Sequence, residues 1–143
     1  MDTNVVSAGS PVIRQRGHVA LIDWMDQQSA RLYLPVIAVA EIINGISKAR
    51  REGATRKAMT VEAWLGDVLH LYGSRTLDLD LMAAHSLGEL SDHARARGIT
   101  PGWPEIAIAA IARAHGLVVL TRNARHFAPL GIPTHDPYAS LPE

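Results

Sequence analysis

The run "PEIAIAAIARAHGLVVLTRN", residues 104 to 123, constrains the fold more than any other stretch. Pro104 suits the first helical position and Gly116 supplies a C-terminal stop, so the segment between them reads as a helix. "LVVL" (117 to 120) follows at once. It is a short, continuous apolar run, as expected of a strand buried on both faces. Such strands occur in parallel sheets sandwiched by helices, and the rest of the chain keeps the same alternation. Helical patterns cover "HVALIDWMDQQS" (18 to 29), "VIAVAEIINGISKARRE" (36 to 52), "TRKAMTVEAWLGDVLHLY" (55 to 72) and "LMAAHSLGELSDHARARG" (81 to 98). Short extended segments fall at "RLYLP" (31 to 35), "RTLDL" (75 to 79) and "IPTHD" (132 to 136), and "ARHFAPLG" (124 to 131) reads as a turn or short helix. The expected architecture is α/β with a mostly parallel sheet. In such a fold a strand should precede "DTN", yet only Met1 does. Asp2 would then mark the carboxyl end of a first strand that is largely missing.

The 143 residues suit one domain, 1–143, with a core of useful size. Hydrophobic residues make up 48% and charged residues 20%, which excludes a disordered chain. A formal net charge of zero argues against a broadly basic nucleic-acid binder, although "KARREGATRK" (48 to 57), "HARARG" (93 to 98) and "TRNARH" (121 to 126) are local basic clusters. There is no cysteine, hence no disulfide framework and no thiolate chemistry. No basic and apolar leader follows Met1, and no apolar run reaches the roughly 20 residues a bilayer span needs. A soluble, cytoplasmic protein with no membrane partner is expected.

Chemistry points to the acids. Glu41 stands in "VIAVAEIINGI" (36 to 46), a run otherwise almost wholly apolar, where an unpaired carboxylate is expensive. Ligands of open parallel sheets bind beyond the carboxyl ends of the strands. Asp2, Asn123 after "LVVL", Glu105 in the first turn of its helix, and Glu41 in the helix after "RLYLP" can all converge there. Close carboxylates repel one another and call for a cation, and an all-oxygen set of this kind suits Mg²⁺ or Mn²⁺ far better than zinc. Each residue also has a plain structural role open to it. Glu105 can complement a helix N-terminus, Asp2 can serve a turn and Asn123 a cap. Glu41 can join a wet stripe with Arg31, Asn44, Lys48 and Arg51.

The sequence resembles the PIN-domain ribonucleases, specifically VapC-type toxins of toxin–antitoxin pairs in the FitB-like branch. "DTNVVS" (2 to 7) resembles the family's opening motif, and "AVAEIINGI" (38 to 46) its acid-containing helix. "PEIAIAAIARAHGLVVLTRNARHF" (104 to 127) resembles the most specific stretch, in which Ile-Ala-Ala, His-Gly-Leu and Thr-Arg-Asn recur. "WL" (64 and 65), "RTLDLD" (75 to 80) and "HDPY" (135 to 138) also match, so the likeness runs through nearly the whole chain. Three positions depart from the family pattern: Glu105 for Asp, His126 where an acid is common, and Ala38 where Ser or Thr is frequent.

The resemblance implies a three-layer α/β/α fold with a central, mostly parallel sheet. It implies Mg²⁺- or Mn²⁺-dependent endonucleolytic hydrolysis of RNA, a cognate antitoxin that covers the site, and a homodimer. Asp2, Glu41, Glu105 and Asn123 take the catalytic positions. Asp2 and Glu105 would be direct metal ligands, with Glu41 acting through water or orienting the nucleophile. Asn123, being neutral, would hydrogen-bond a water or phosphate rather than act as a general base. Arg122 and Arg125 are candidates for holding substrate phosphate, as are Lys48, Arg50 and Arg51. Trp24, Trp64 and Leu65 are expected mainly in the core. Two alternatives stay open: an impaired module of this fold that binds RNA or antitoxin without cleaving, and an unrelated α/β scaffold whose acids lie far apart.

Overall fold

The computed structural model describes residues 1–14 and 17–143. Asp2 opens the first helix, α1 (Thr3–Ser7), by accepting a hydrogen bond from the Val5 amide at 2.9 Å. A carboxylate in that position satisfies an amide that has no partner within the helix. Then follow α2 (Pro11–Arg14), α3 (Val19–Gln27), β1 (Leu34–Pro35), α4 (Val36–Arg51), α5 (Thr55–Tyr72), β2 (Thr76–Leu77), α6 (Leu81–Ala96), α7 (Trp103–Ala114), β3 (Val119–Leu120), α8 (Ala124–Phe127) and β4 (Thr134–His135). The long helices match the periodicity of their segments. The short α1, which no apolar period announces, is set by its cap. Gly102 rather than Trp103 caps α7, so Pro104 takes the second helical position, not the first. Among the described residues no helix is long and apolar enough to cross a membrane.

The strands are parallel and only two residues long: β1 pairs with β2 (Leu34 opposite Thr76) and β3 with β4 (Val119 opposite Thr134). Between the two pairs lie Met1 and Asp2. The Met1 amino group donates to the Tyr33 carbonyl at 3.1 Å, and the Asp2 amide donates to the Leu120 carbonyl at 2.9 Å. The hydrogen-bonded order is therefore β2, β1, Met1–Asp2, β3, β4. The central position holds two residues, and on the amino side of Met1 a cavity of about 480 Å³ separates Leu32 and Tyr33 from Leu117 to Leu120. Beside this cavity β1 and β3 stop short of their apolar runs, and Val118 is 53% exposed.

Successive strand residues face opposite ways. Leu120 joins a core with Val5, Leu34, Ala38, Ile42 and Leu65, under α1, α3, α4 and α5. Val119 joins a second core with Ala83, Leu90, Ile111 and Phe127, under α6, α7 and α8. Helices thus cover both faces, giving the three-layer α/β/α arrangement. Trp24 and Trp64 pack against the first core, and Leu65 belongs to it. Phe127 is the largest of the fully buried side chains and locks α8 beside the start of α7. Phe127→Ala is expected to cost about 3–5 kcal/mol, read as a lower urea midpoint with an unchanged slope.

Candidate active site

Four segments remote in sequence meet beyond the carboxyl ends of the strands. Asp2, Thr3, Glu41, Glu105, Asn123 and Phe127 line one pocket of about 140 Å³. The acids therefore do not lie far apart, as an unrelated scaffold would have them. Each reaches the pocket for a local reason. Asp2 leaves the central strand position and caps α1. β1 runs directly into α4, so Glu41 comes up within the second turn. Glu105 sits in the first turn of α7, three residues after its cap. Asn123 holds the cap position of α8 but makes no capping bond with its side chain, which leaves the amide free to face the pocket.

Two hydroxyls hold the carboxylates. Thr3 Oγ1 donates to Glu41 Oε2. Thr121 Oγ1 donates to Asp2 Oδ2 and accepts the Asn123 amide at 2.9 Å. Both threonines were absent from the residues singled out by sequence. The hydroxyl expected at position 38, where the chain has Ala, is supplied to Glu41 by Thr3 from another element. Asp2 and Thr121 are buried, at 5% and 0% exposure, so the aspartate is a desolvated acceptor with both oxygens engaged. Glu41 is half-buried rather than enclosed. It stands where the exposed stripe of Asn44, Lys48 and Arg51 meets the pocket, so its two readings are both partly met.

Glu105 is arranged differently. Its Oε1 lies 3.4 Å from His126 Nδ1, and its carboxyl folds back over Gly102, where an added Cβ would collide with it. The site thus has an acid–imidazole contact between Glu105 and His126. Among the described residues no three His, Asp or Glu side chains stand close enough to make a ready metal cage. The donor chemistry still fits a hard divalent cation, because the pocket offers carboxylate and amide oxygens and no sulfur.

The basic residues divide. Lys48 pairs with Glu52 at 3.9 Å and Arg50 pairs with Glu62, so both are committed on the surface of α4 and α5. Neither lines the pocket, nor does Arg51, and α4's rise of about 1.5 Å per residue carries all three away from Glu41. Arg125 is exposed on α8. Arg122 is exposed but held, its guanidinium 4.6 Å from the ring centre of Tyr138.

Known proteins share this arrangement of the chain. The PIN domain family model matches residues 1–131. The chain is 32% identical over 139 residues to the VapC ribonuclease Y4jK of Sinorhizobium fredii, covering 96% of each. It is 27% identical over 139 residues to the toxin FitB of Neisseria gonorrhoeae, again covering 96% of each. Among solved structures it superposes on a chain of FitAcB from Neisseria gonorrhoeae with a TM-score of 0.82 at 26% identity, covering 96% of both chains.

Proposed function

The chain belongs to the PIN domain family, and from that premise we propose that it is a metal-dependent endoribonuclease toxin of a toxin–antitoxin pair. The carrying observation is that Asp2, Glu41, Glu105 and Asn123, from four separate segments, line one pocket beyond the strand ends. The likeness to a protein named a VapC ribonuclease and to one named a toxin supports the activity and the setting. On this reading residues 1–143 work as one PIN unit in the cytoplasm, as a homodimer, with a cognate antitoxin that shields the pocket.

Asp2 and Glu105 would hold Mg²⁺ or Mn²⁺, with Glu41 reaching it through water. When bound, the cation polarises a phosphate oxygen and acidifies a water. The chain's own groups do the rest. Thr121 and the α1 amide keep the Asp2 carboxylate in one orientation. Thr3 does the same for Glu41, leaving its other oxygen to accept a proton from a water. The Asn123 amide donates to a phosphate oxygen or water, and cannot take a proton. The purified protein is expected to cleave single-stranded RNA with Mg²⁺ or Mn²⁺ and to stop on chelation. Glu41→Gln, which keeps an oxygen for Thr3 but loses the charge, should slow cleavage at least about 10²-fold. Intact RNA with either metal removes the enzyme reading.

One observation favours a second reading. Glu105 is turned toward His126 and Gly102 rather than converging with the other two acids. A chain frozen in that arrangement would bind RNA or antitoxin without cleavage. In that case Glu105→Asp, which shortens the side chain and frees it from His126, is the variant expected to gain activity.

A further inference from the structure

The "HDPY" segment returns to the edge of the pocket and supplies an aromatic side chain that the proposed chemistry does not use. After β4, the Asp136 carboxylate accepts the Tyr138 amide at 2.9 Å, a tight local turn that aims the ring back at α1. The Tyr138 hydroxyl donates to the Asn4 carbonyl at 3.1 Å. Asn4 itself lines the acid pocket. The His18 ring stands edge-on to Tyr138, 4.9 Å between centres at an interplanar angle of 89°. The Arg122 guanidinium lies over the Tyr138 ring, 4.6 Å from its centre.

Arg122 is joined to the pocket along the chain as well. It lies between Thr121, whose hydroxyl holds Asp2, and Asn123, which lines the pocket. Thr121 is buried and Arg122 exposed, so the arginine leaves the sheet edge between two residues tied to the pocket without itself lining it. Among the described residues it makes no salt bridge, in contrast to Arg50 and Arg113. A stacked guanidinium keeps its N–H edge free, and that edge matches two phosphate oxygens. Stacking also settles the side chain before any ligand arrives, so less freedom is lost on binding. Burial raises the Tyr138 hydroxyl above its ordinary pKa, opposed by the Arg122 cation and assisted by the Asp2 and Asp136 carboxylates.

We infer that Tyr138 is a positioning residue that holds Arg122 as a preformed clamp for a backbone phosphate of single-stranded RNA next to the acid pocket. This deepens the nuclease reading and rests on it. Tyr138 acts through Arg122: the guanidinium lies over its ring, His18 packs against the ring and the hydroxyl is tied to Asn4, so the ring is fixed in place as a platform for the cation.

The test is binding of a short fluorescein-labelled single-stranded RNA to the full chain, followed by anisotropy over a salt series in EDTA so that nothing is cleaved. Arg122→Ala is expected to weaken binding about tenfold and to reduce the salt slope by about 0.7, the loss of one phosphate contact. Tyr138→Leu should weaken binding about threefold, and Tyr138→Phe, which keeps the stack, should stay within about twofold of the parent. Arg122→Lys, an exposed change that keeps the charge and loses the planar stack, should behave like Tyr138→Leu. In the Arg122→Ala background, Tyr138→Leu should have no further effect. Equal losses in both backgrounds, an Arg122→Lys protein indistinguishable from the parent, or a Tyr138→Leu protein of unchanged affinity each overturn the clamp while leaving the nuclease reading intact. A parent chain that binds no RNA in EDTA overturns the clamp as well, while the nuclease reading stands or falls separately on cleavage with Mg²⁺ or Mn²⁺.

Discussion

Asp2→Asn should yield a folded protein that no longer cleaves RNA. The substitution isolates charge from structure because asparagine is as good a helix cap as aspartate. The amide oxygen can still accept the Val5 N–H, now made at 2.9 Å. The amide nitrogen would face the Thr121 hydroxyl, which can rotate from donor to acceptor. What disappears is one negative charge, buried at the head of the pocket. Cleavage with Mg²⁺ or Mn²⁺ is expected to fall by about 10²-fold or more, with the thermal midpoint within a few degrees of the parent. Asp2→Ala should lose both cleavage and about 1 kcal/mol or more of stability, since the cap goes and the Thr121 hydroxyl is left without its acceptor. Labelled-RNA turnover and thermal melts of the two variants side by side make the check. An Asp2→Asn protein that cleaves normally would reduce Asp2 to a cap.

An apolar extension of about four residues ahead of Met1 is expected to stabilise the chain substantially and to remove a pH dependence. The Met1 amino group is buried between β1 and β3, and burial lowers its pKa from 8.0 to about 6, against the opposing pull of Asp2. The sign follows from proton counting. Between pH 6 and 8 the unfolded chain binds more protons than the folded one, so stability rises with pH across that window. Above it the amine is neutral in both states and carries no penalty. Below it the folded state bears the full cost of a buried ammonium, about 3 kcal/mol.

A peptide bond in place of the amine abolishes this slope. Valine, isoleucine or leucine side chains would then enter the cavity of about 480 Å³ bordered by Leu32, Leu77, Ile108 and Leu117. Each fully buried side chain contributes about 1.5–3 kcal/mol, opposed by about 1–2 kcal/mol per residue of backbone ordering. Ladder hydrogen bonds add about 1 kcal/mol each. The net gain is a few kcal/mol, or roughly 10 °C in thermal midpoint. A Gly-Ser extension of equal length separates the two effects. It should flatten the pH dependence while barely moving the midpoint at pH 8. Identical melts for the apolar and Gly-Ser forms would show that the cavity is no strand position.

Local pattern carried far here. Helix periodicity announced α3 to α7, and Gly116 followed by an apolar run announced β3, because both signals depend on which way neighbouring side chains point. Strand length was not legible. "LVVL" and "RLYLP" read as strands four and five residues long, yet pairing covers two residues of each, because a strand extends only where a neighbour meets it. α1 was missed since a five-residue helix has no period to detect and rests on the Asp2 cap.

At the pocket, Asp2, Glu41, Glu105 and Asn123 were identified as residue types in a pattern, and the sheet edge brought all four to one place. Thr3 and Thr121 carried no signal beyond lying within the two recognised motifs, and nothing local linked Tyr138 to Arg122 or His126 to Glu105. The chain alone determined which segments become helix and strand and which acids are available, because those depend on residues a few positions apart. Only the tertiary structure decided which hydroxyl orients which carboxylate, where Glu105 turns and which cation is held ready. Those contacts join groups separated by up to 119 positions in sequence, and their geometry exists only once both cores have closed on the sheet.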